Sequence, residues 1–150
     1  MLFSSHFEQA NRPSGRRAAG TAPAPSILLI GEARSRTTYR TILSQGSFEI
    51  FDADGAEEGL ALARKLRPNL ILVELAMQPR DGWEVNRLLK AAPETYLIPV
   101  VAASLTAVPG GTYHRARSAG FVDLVTRPIE RRHVLELVGT WARQPTQAAV

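Results

Sequence analysis

Short apolar runs alternate along this chain with stretches in which apolar residues recur at helical spacing. The runs predict β-strands over residues 27–31, 48–52, 70–74, 99–103 and 121–125. Between them, shared helical faces are formed by Tyr39, Ile42 and Leu43, by Leu60, Ala63 and Leu66, and by Trp83, Leu88 and Leu89. The last helix, predicted over 130–143, has Val134, Leu137, Val138 and Trp141 on its core side. Five strands separated by helices predict a doubly wound α/β domain with a parallel sheet and helices on both faces.

The stretch between the fourth and fifth strands has the weakest pattern. Pro109-Gly110-Gly111 interrupts regular structure, and residues 112–118 contain few apolar anchors. We therefore expect a short or mobile fourth helix there.

The length of 150 residues and the hydrophobic content of 45% fit one compact domain. Residues 1–25 are rich in Ala, Gly, Pro, Ser and Arg and have no periodicity, which predicts a flexible tail. The expected organisation is that tail, a domain over 26–143, and a short tail over 144–150.

Composition narrows the function classes. The chain has no cysteine, which excludes disulfides, thiolate metal sites and cysteine nucleophiles. No signal peptide and no membrane-spanning run is recognisable, so a cytoplasmic location is expected. The net charge of +4 is small and no aromatic residues interleave the arginines, which makes a nucleic-acid partner unfavoured.

Polar residues follow four of the predicted strands. Glu32 follows the first strand, Glu74 closes the third, Ser104 follows the fourth, and Arg127 with Pro128 follows the fifth. Ligands of open α/β sheets bind outside the carboxyl ends of the strands. We therefore expect two carboxylates, a hydroxyl and a guanidinium to converge on one pocket.

The segment around Glu74 carries a family resemblance. Residues 68–77 read P-N-L-I-L-V-E-L-A-M and residues 81–84 read D-G-W-E. This resembles the P-D-L-I-L-x-D-L-x-M-P-x-x-D-G-x-E segment of the receiver domains of bacterial two-component response regulators. The resemblance covers about residues 27–143 and implies a flavodoxin-like fold with strand order 2-1-3-4-5.

Departures from the family pattern fall on its functional positions. The resemblance places Glu74 at the phosphoryl-accepting aspartate and Gly31-Glu32 at the acidic pair that holds magnesium. It places Ser104 at the Thr or Ser that follows the fourth strand, and Arg127, before Pro128, at the lysine that follows the fifth. Leu124 falls at the position of the aromatic switch residue. Glutamate is one methylene longer than aspartate, and accurate placement is most of phosphoryl-transfer catalysis. Phosphorylation is therefore expected to be poor or absent.

The same departures bear on metal binding. Gly31 supplies no side-chain oxygen, which leaves Glu32 and Glu74 as the carboxylate ligands for Mg²⁺. We expect weak or no binding of Mg²⁺ and no other cofactor. A second hypothesis is that Arg127 pairs with Glu74, so that Glu74 imitates a phosphorylated residue.

Simpler roles are open for the same residues. Glu32, Glu74 and Arg127 would also serve as a structural ion pair at the sheet edge. Ser104 would equally cap the next segment through a backbone hydrogen bond. Asp81 before Gly82 is interpreted as a turn and helix cap rather than a replacement acceptor.

The function favoured by the sequence is that of a stand-alone atypical receiver, not an enzyme, which regulates partners by protein contact. The resemblance implies signalling partners: a histidine kinase, an output protein or another regulator. It also implies docking through the fourth and fifth helices, where a homodimer through residues 111–143 would form. One alternative is a working Mg²⁺-dependent phosphoreceiver. Another, a small α/β enzyme or nucleotide-binding protein, lacks a G-x-G-x-x-G or P-loop pattern after any strand.

Overall fold

The computed structural model describes residues 23–145, so most of the two predicted tails lies outside the described residues. The strands are β1 (Ser26–Gly31), β2 (Glu49–Asp54), β3 (Leu70–Glu74), β4 (Val100–Ala103) and β5 (Asp123–Val125). The helices are α1 (Ala33–Leu43), α2 (Ala56–Leu66), α3 (Gly82–Ala91), α4 (Thr112–Ser118) and α5 (Arg131–Ala142).

The five strands form one parallel sheet in the order β2-β1-β3-β4-β5. This confirms the doubly wound, flavodoxin-like order expected from the sequence. In the register of the sheet, Gly31 pairs with Asp54, and Glu74 pairs with Ala103. The carboxyl ends of the strands therefore meet at one edge, where the predicted site residues follow.

Each face of the sheet has its own apolar core. One core packs α2, α3 and α4 against the sheet residues Leu28, Ile30, Ile71, Val73, Val100, Ala102 and Leu124. The other packs α1 and α5 against Ile27, Leu29, Leu70, Leu72, Val101, Ala103 and Val125. The alternation of odd and even positions between the two cores follows from the two-residue period of a strand. Buried on both faces, the strands read as continuous apolar runs.

Two strand boundaries differ by two residues from the sequence prediction, and the others agree to within one residue. β2 runs to Asp54 because its register with β1 continues to the end of that strand. β5 begins at Asp123, since Phe121 belongs to the turn after α4, where its N–H donates to the carbonyl of Ala116 at 3.0 Å. α4 has seven residues, of which Ala116 is buried, so the expectation of a short fourth helix is confirmed.

The start of α3 lies directly against the end of β3. Asp81 caps the helix, its carboxylate accepting a hydrogen bond from the Glu84 N–H at 2.9 Å. The N–H of Gly82 donates to the Leu75 carbonyl at 2.9 Å. A Cβ at Gly82 would overlap the Glu74 carbonyl oxygen and lie 2.9 Å from the Leu75 Cα. Only glycine allows this approach, which fixes the backbone at Glu74.

Candidate functional site

Glu74 is the carboxylate at the centre of the carboxyl edge. It closes β3 and is partly buried, and its Oε1 accepts a hydrogen bond from the backbone N–H of Glu32 at 3.0 Å. Glu32 is the N-cap residue of α1, and its own side chain is exposed and makes no capping hydrogen bond. The Glu74 carboxylate therefore satisfies a backbone donor at the N-terminus of α1, where the helix dipole also favours negative charge.

The space occupied by this carboxylate is available because residue 31 is glycine. A Cβ built on Gly31 would lie 3.1 Å from Glu74 Oε1, 3.2 Å from Glu74 Cβ and 3.4 Å from the hydroxyl oxygen of Ser35. The Gly31 carbonyl in turn accepts a hydrogen bond from Arg36 Nε at 2.9 Å. The Glu74 side chain thus passes alongside Gly31, through space that borders any side chain at that position.

The surroundings of Glu74 disfavour its charged form. Burial raises the pKa of Glu74, the hydrogen bond from the Glu32 N–H lowers it, and the nearby Glu32 carboxylate raises it again. Burial is the largest of these effects. Burial and, to a smaller extent, the Glu74 charge also raise the pKa of Tyr39, a fully buried residue of α1. The Tyr39 hydroxyl has no hydrogen-bond partner among residues 23–145.

The predicted pairing of Glu74 with Arg127 is wrong. Arg127 is exposed, and it makes no ion pair with another residue of 23–145. The ion pairs found between side chains in that range all lie between residues 36 and 94. The reason is the direction of the Glu74 side chain, whose Oε1 accepts the Glu32 N–H on the side of β1 and α1, away from β5. Pro128, which follows Arg127, is exposed too.

Ser104 is buried but its hydroxyl is used locally. It donates to the Thr106 carbonyl at 2.8 Å and accepts from the Thr106 N–H at 3.2 Å, which is the local backbone contact considered from the sequence. The Thr126 hydroxyl, after β5, donates to the same Thr106 carbonyl at 3.0 Å. This second contact was missed, and its one sequence signal was a threonine directly after a strand.

Leu124 lies inside the core between the sheet and α3 and α4, with 8% of its surface exposed. It therefore fills the core with an aliphatic side chain. The aromatic residues on this side are Trp83 and Phe121, whose rings meet edge to face at a centroid distance of 5.5 Å. The Arg115 guanidinium lies 4.1 Å from the centre of the Trp83 ring and covers it from α4.

The acidic side chains that the sequence predicts as ligands of a divalent cation are Glu32 and Glu74. Among the described residues, no three Asp, Glu, His or Cys side chains are grouped so that they could hold a metal ion. Mg²⁺ prefers six oxygen ligands in octahedral geometry, and Glu32 and Glu74 would supply two carboxylates. One oxygen of Glu74 already accepts a hydrogen bond from the Glu32 N–H.

Sequence and structure comparisons agree with this fold. Residues 28–139 match the family model of the response regulator receiver domain. The polar-differentiation response regulator DivK of Brucella anthropi is 29% identical over 103 residues, which cover 69% of this chain and 83% of DivK. In the described part of the chain, no helix has the length and apolar character needed to cross a membrane.

Two solved structures have closely similar backbones. A response regulator from Desulfuromonas acetoxidans gives a TM-score of 0.66 at 25% identity, covering 77% of this chain and 94% of that one. The receiver domain of the sensor histidine kinase PA1611 from Pseudomonas aeruginosa, solved with a magnesium ion in its active-site cleft, gives 0.70 at 19% identity, covering 81% and 99%. This chain belongs to the response regulator receiver domain family, and its broad role is in two-component signal transduction.

Proposed function

We propose that this protein is an atypical receiver that regulates its partners by protein contact, with little or no aspartyl phosphorylation. The observation that carries the proposal is the placement of Glu74, whose carboxylate is bonded to the Glu32 N–H alongside Gly31. In this interpretation Glu74 stands at the family's acceptor position. A cytoplasmic location is part of the same proposal.

A phosphoryl acceptor has to present a free carboxylate oxygen in line with the incoming phosphoryl group. Here one oxygen of Glu74 accepts a hydrogen bond at 3.0 Å, and the side chain is one methylene longer than aspartate. The Ser104 hydroxyl is turned toward Thr106, and Arg127 is exposed without an acidic partner in residues 23–145. Each feature supports a site that does not catalyse phosphoryl transfer.

The proposed partners are a histidine kinase, an output protein or another regulator, engaged through α4, β5 and α5. The exposed Tyr113 on α4 and the exposed arginines 115, 117, 127, 131 and 132 support this face. Tyrosine and arginine are, with tryptophan, enriched among the residues that contribute most to binding energy at protein interfaces. A homodimer through residues 111–143 would use the same face.

A working Mg²⁺-dependent phosphoreceiver is the second candidate. The receiver domain of PA1611, which shares this fold, was solved with magnesium in its active-site cleft. Glu32 and Ser104 are also still present at the carboxyl edge of this sheet.

Intact mass spectrometry separates the two candidates. The protein and its Glu74→Asp variant would be incubated with acetyl phosphate, with and without Mg²⁺. The proposal predicts no phosphoryl adduct on the unmodified sequence under either condition. A Mg²⁺-dependent adduct of one phosphoryl group on it would overturn the proposal and establish the second candidate.

A further inference from the structure

We propose that Gly31 is a positioning residue for Glu74, and that the two together close the edge of the sheet to a divalent cation. Because position 31 has no side chain, the Glu74 carboxylate oxygen lies only 3.1 Å from where a Cβ at that position would stand, and a cation ligand introduced there would meet it. The inference deepens the proposed function and rests on it. It states that the site is opened to Mg²⁺ only when both positions are changed.

The geometry makes the two positions dependent on each other. The Cβ of any other residue at position 31 would lie 3.1 Å from Glu74 Oε1 and 3.2 Å from Glu74 Cβ. Such contacts are tighter than ordinary van der Waals distances, so the Glu74 side chain would have to move. Ser35 borders the same space, with its hydroxyl oxygen 3.4 Å from that Cβ. A side chain at position 31 therefore requires the Glu74 side chain to shift by a few tenths of an ångström from its present position.

Charge adds to this exclusion. An aspartate introduced at position 31 would bring a second carboxylate next to Glu74, whose Oε1 lies 3.1 Å from the position of the new Cβ. Gly31→Asp alone should thus push Glu74 off the Glu32 N–H rather than build an ordered set of ligands. Glu74→Asp alone shortens the intruding side chain but leaves position 31 without an oxygen. Either single change leaves an incomplete set.

The double change is different because Gly31→Asp supplies a third carboxylate, while Glu74→Asp shortens the side chain that this carboxylate would otherwise contact. With Glu32, the two introduced aspartates would give three acidic side chains at the edge, a set suited to a hard cation with oxygen ligands. The expected gain is therefore cooperative: the effect of the pair exceeds the sum of the two single effects.

Mg²⁺ titration followed by amide chemical shifts of ¹⁵N-labelled protein tests this coupling directly. The set comprises the unmodified protein, Gly31→Asp, Glu74→Asp, and the double variant. Ala33→Asp with Glu74→Asp is the matched control, because Ala33 is exposed two residues further on and adds the same charge outside the contact with Glu74. We expect the double variant to bind Mg²⁺ at least about tenfold more tightly than either single variant or the control, the scale on which loss of a supporting residue weakens metal sites.

The proposal fails if Glu74→Asp alone, or the Ala33→Asp control pair, binds as tightly as the double variant. It also fails if the folded double variant binds no more tightly than the unmodified protein. These outcomes are separate from a failure of the proposed function, which would show as a phosphoryl adduct on the unmodified protein.

A second measurement keeps the inference testable if the double variant does not fold. Gly31→Ala adds only the Cβ that meets Glu74. It should displace Glu74 Oε1 from the Glu32 N–H and so speed hydrogen exchange of the Glu32 amide, followed by NMR. Unchanged exchange of the Glu32 amide would show that position 31 does not position Glu74, and would overturn the proposal.

Discussion

Gly82→Ala should separate the start of α3 from the end of β3 and so displace the backbone of Glu74. The added methyl group would overlap the Glu74 carbonyl oxygen and lie 2.9 Å from both the Glu74 carbonyl carbon and the Leu75 Cα. All three atoms are backbone atoms, which cannot rotate away as a side chain would. The hydrogen bond from the Gly82 N–H to the Leu75 carbonyl holds the two segments together and would have to lengthen.

The cost can be estimated from the contact. Forcing an extra carbon into a filled interior costs about 1–3 kcal/mol. About 120 ordered residues at roughly 2.1 cal/mol/K each give an unfolding entropy near 0.25 kcal/mol/K. The melting temperature should therefore fall by about 4–12 °C.

Differential scanning calorimetry measures this change, and Gly110→Ala is the matched control. Gly110 lies in the loop before α4, and a Cβ there would have no atom within 4 Å. The control should change stability by no more than about 0.5 kcal/mol. If Gly82→Ala melts within 2 °C (about 0.5 kcal/mol) of the control, the close approach of α3 to Glu74 is not a constraint, and the reasoning is refuted.

Three further predictions concern single side chains. Burial raises the pKa of Glu74, so the stability contributed by its protonated form is complete below the ordinary glutamate pKa and is lost as the pH rises through the folded-state value. Glu74→Gln keeps an oxygen for the Glu32 N–H and removes the charge. In urea denaturation this variant should be more stable than the unmodified protein at pH 7 but not near pH 4. The same difference in stability at both pH values would contradict this. Thr126→Val removes the hydroxyl that donates to the Thr106 carbonyl, and should cost about 0.5–1.5 kcal/mol and speed amide exchange in residues 105–111; unchanged exchange would count against it. Arg67, at the end of α2, has φ = 45°, in the left-handed region. Thermal denaturation should therefore show Arg67→Gly to be neutral or stabilising by up to about 1 kcal/mol. A clear loss of stability would show that the contacts of the Arg67 side chain outweigh the strain of its backbone.

The apolar pattern predicted the fold well because strands that are buried on both faces of a parallel sheet consist of continuous apolar residues, which are visible in the sequence. The third strand was placed correctly at Leu70–Glu74, since five residues bounded by Asn69 and the following turn leave little choice of register. Asp81 was also interpreted correctly, because an N-cap depends on residues only three positions apart. Phe121 was misplaced in a strand, since a short apolar segment reads alike in a strand and in a buried turn.

The site residues show where the pattern stops. The sequence predicted that the carboxyl edge of the sheet would hold Glu32, Glu74, Ser104 and Arg127. It could not predict the direction in which each side chain points. The predicted ion pair with Arg127 was wrong because the Glu74 carboxylate turns toward the Glu32 N–H at the start of α1, and the Arg127 side chain is exposed. Ser35, whose hydroxyl oxygen would lie 3.4 Å from a Cβ at position 31, carried no signal beyond its helical spacing. The same is true of Tyr39, whose pKa is raised in part by the Glu74 charge.

The sequence by itself determined the element order, the parallel sheet, the family and the identity of the residues at the carboxyl edge, because each depends on local periodicity or on a contiguous motif. Only the tertiary structure decided that Glu74 bonds to the Glu32 N–H, that it fills the space beside Gly31, and that Thr126 shares the Thr106 carbonyl with Ser104. These contacts join residues 20 to 43 positions apart or depend on the rotamer of one side chain. Such distances are set when the strands pack into the sheet, and periodicity along the chain does not encode them.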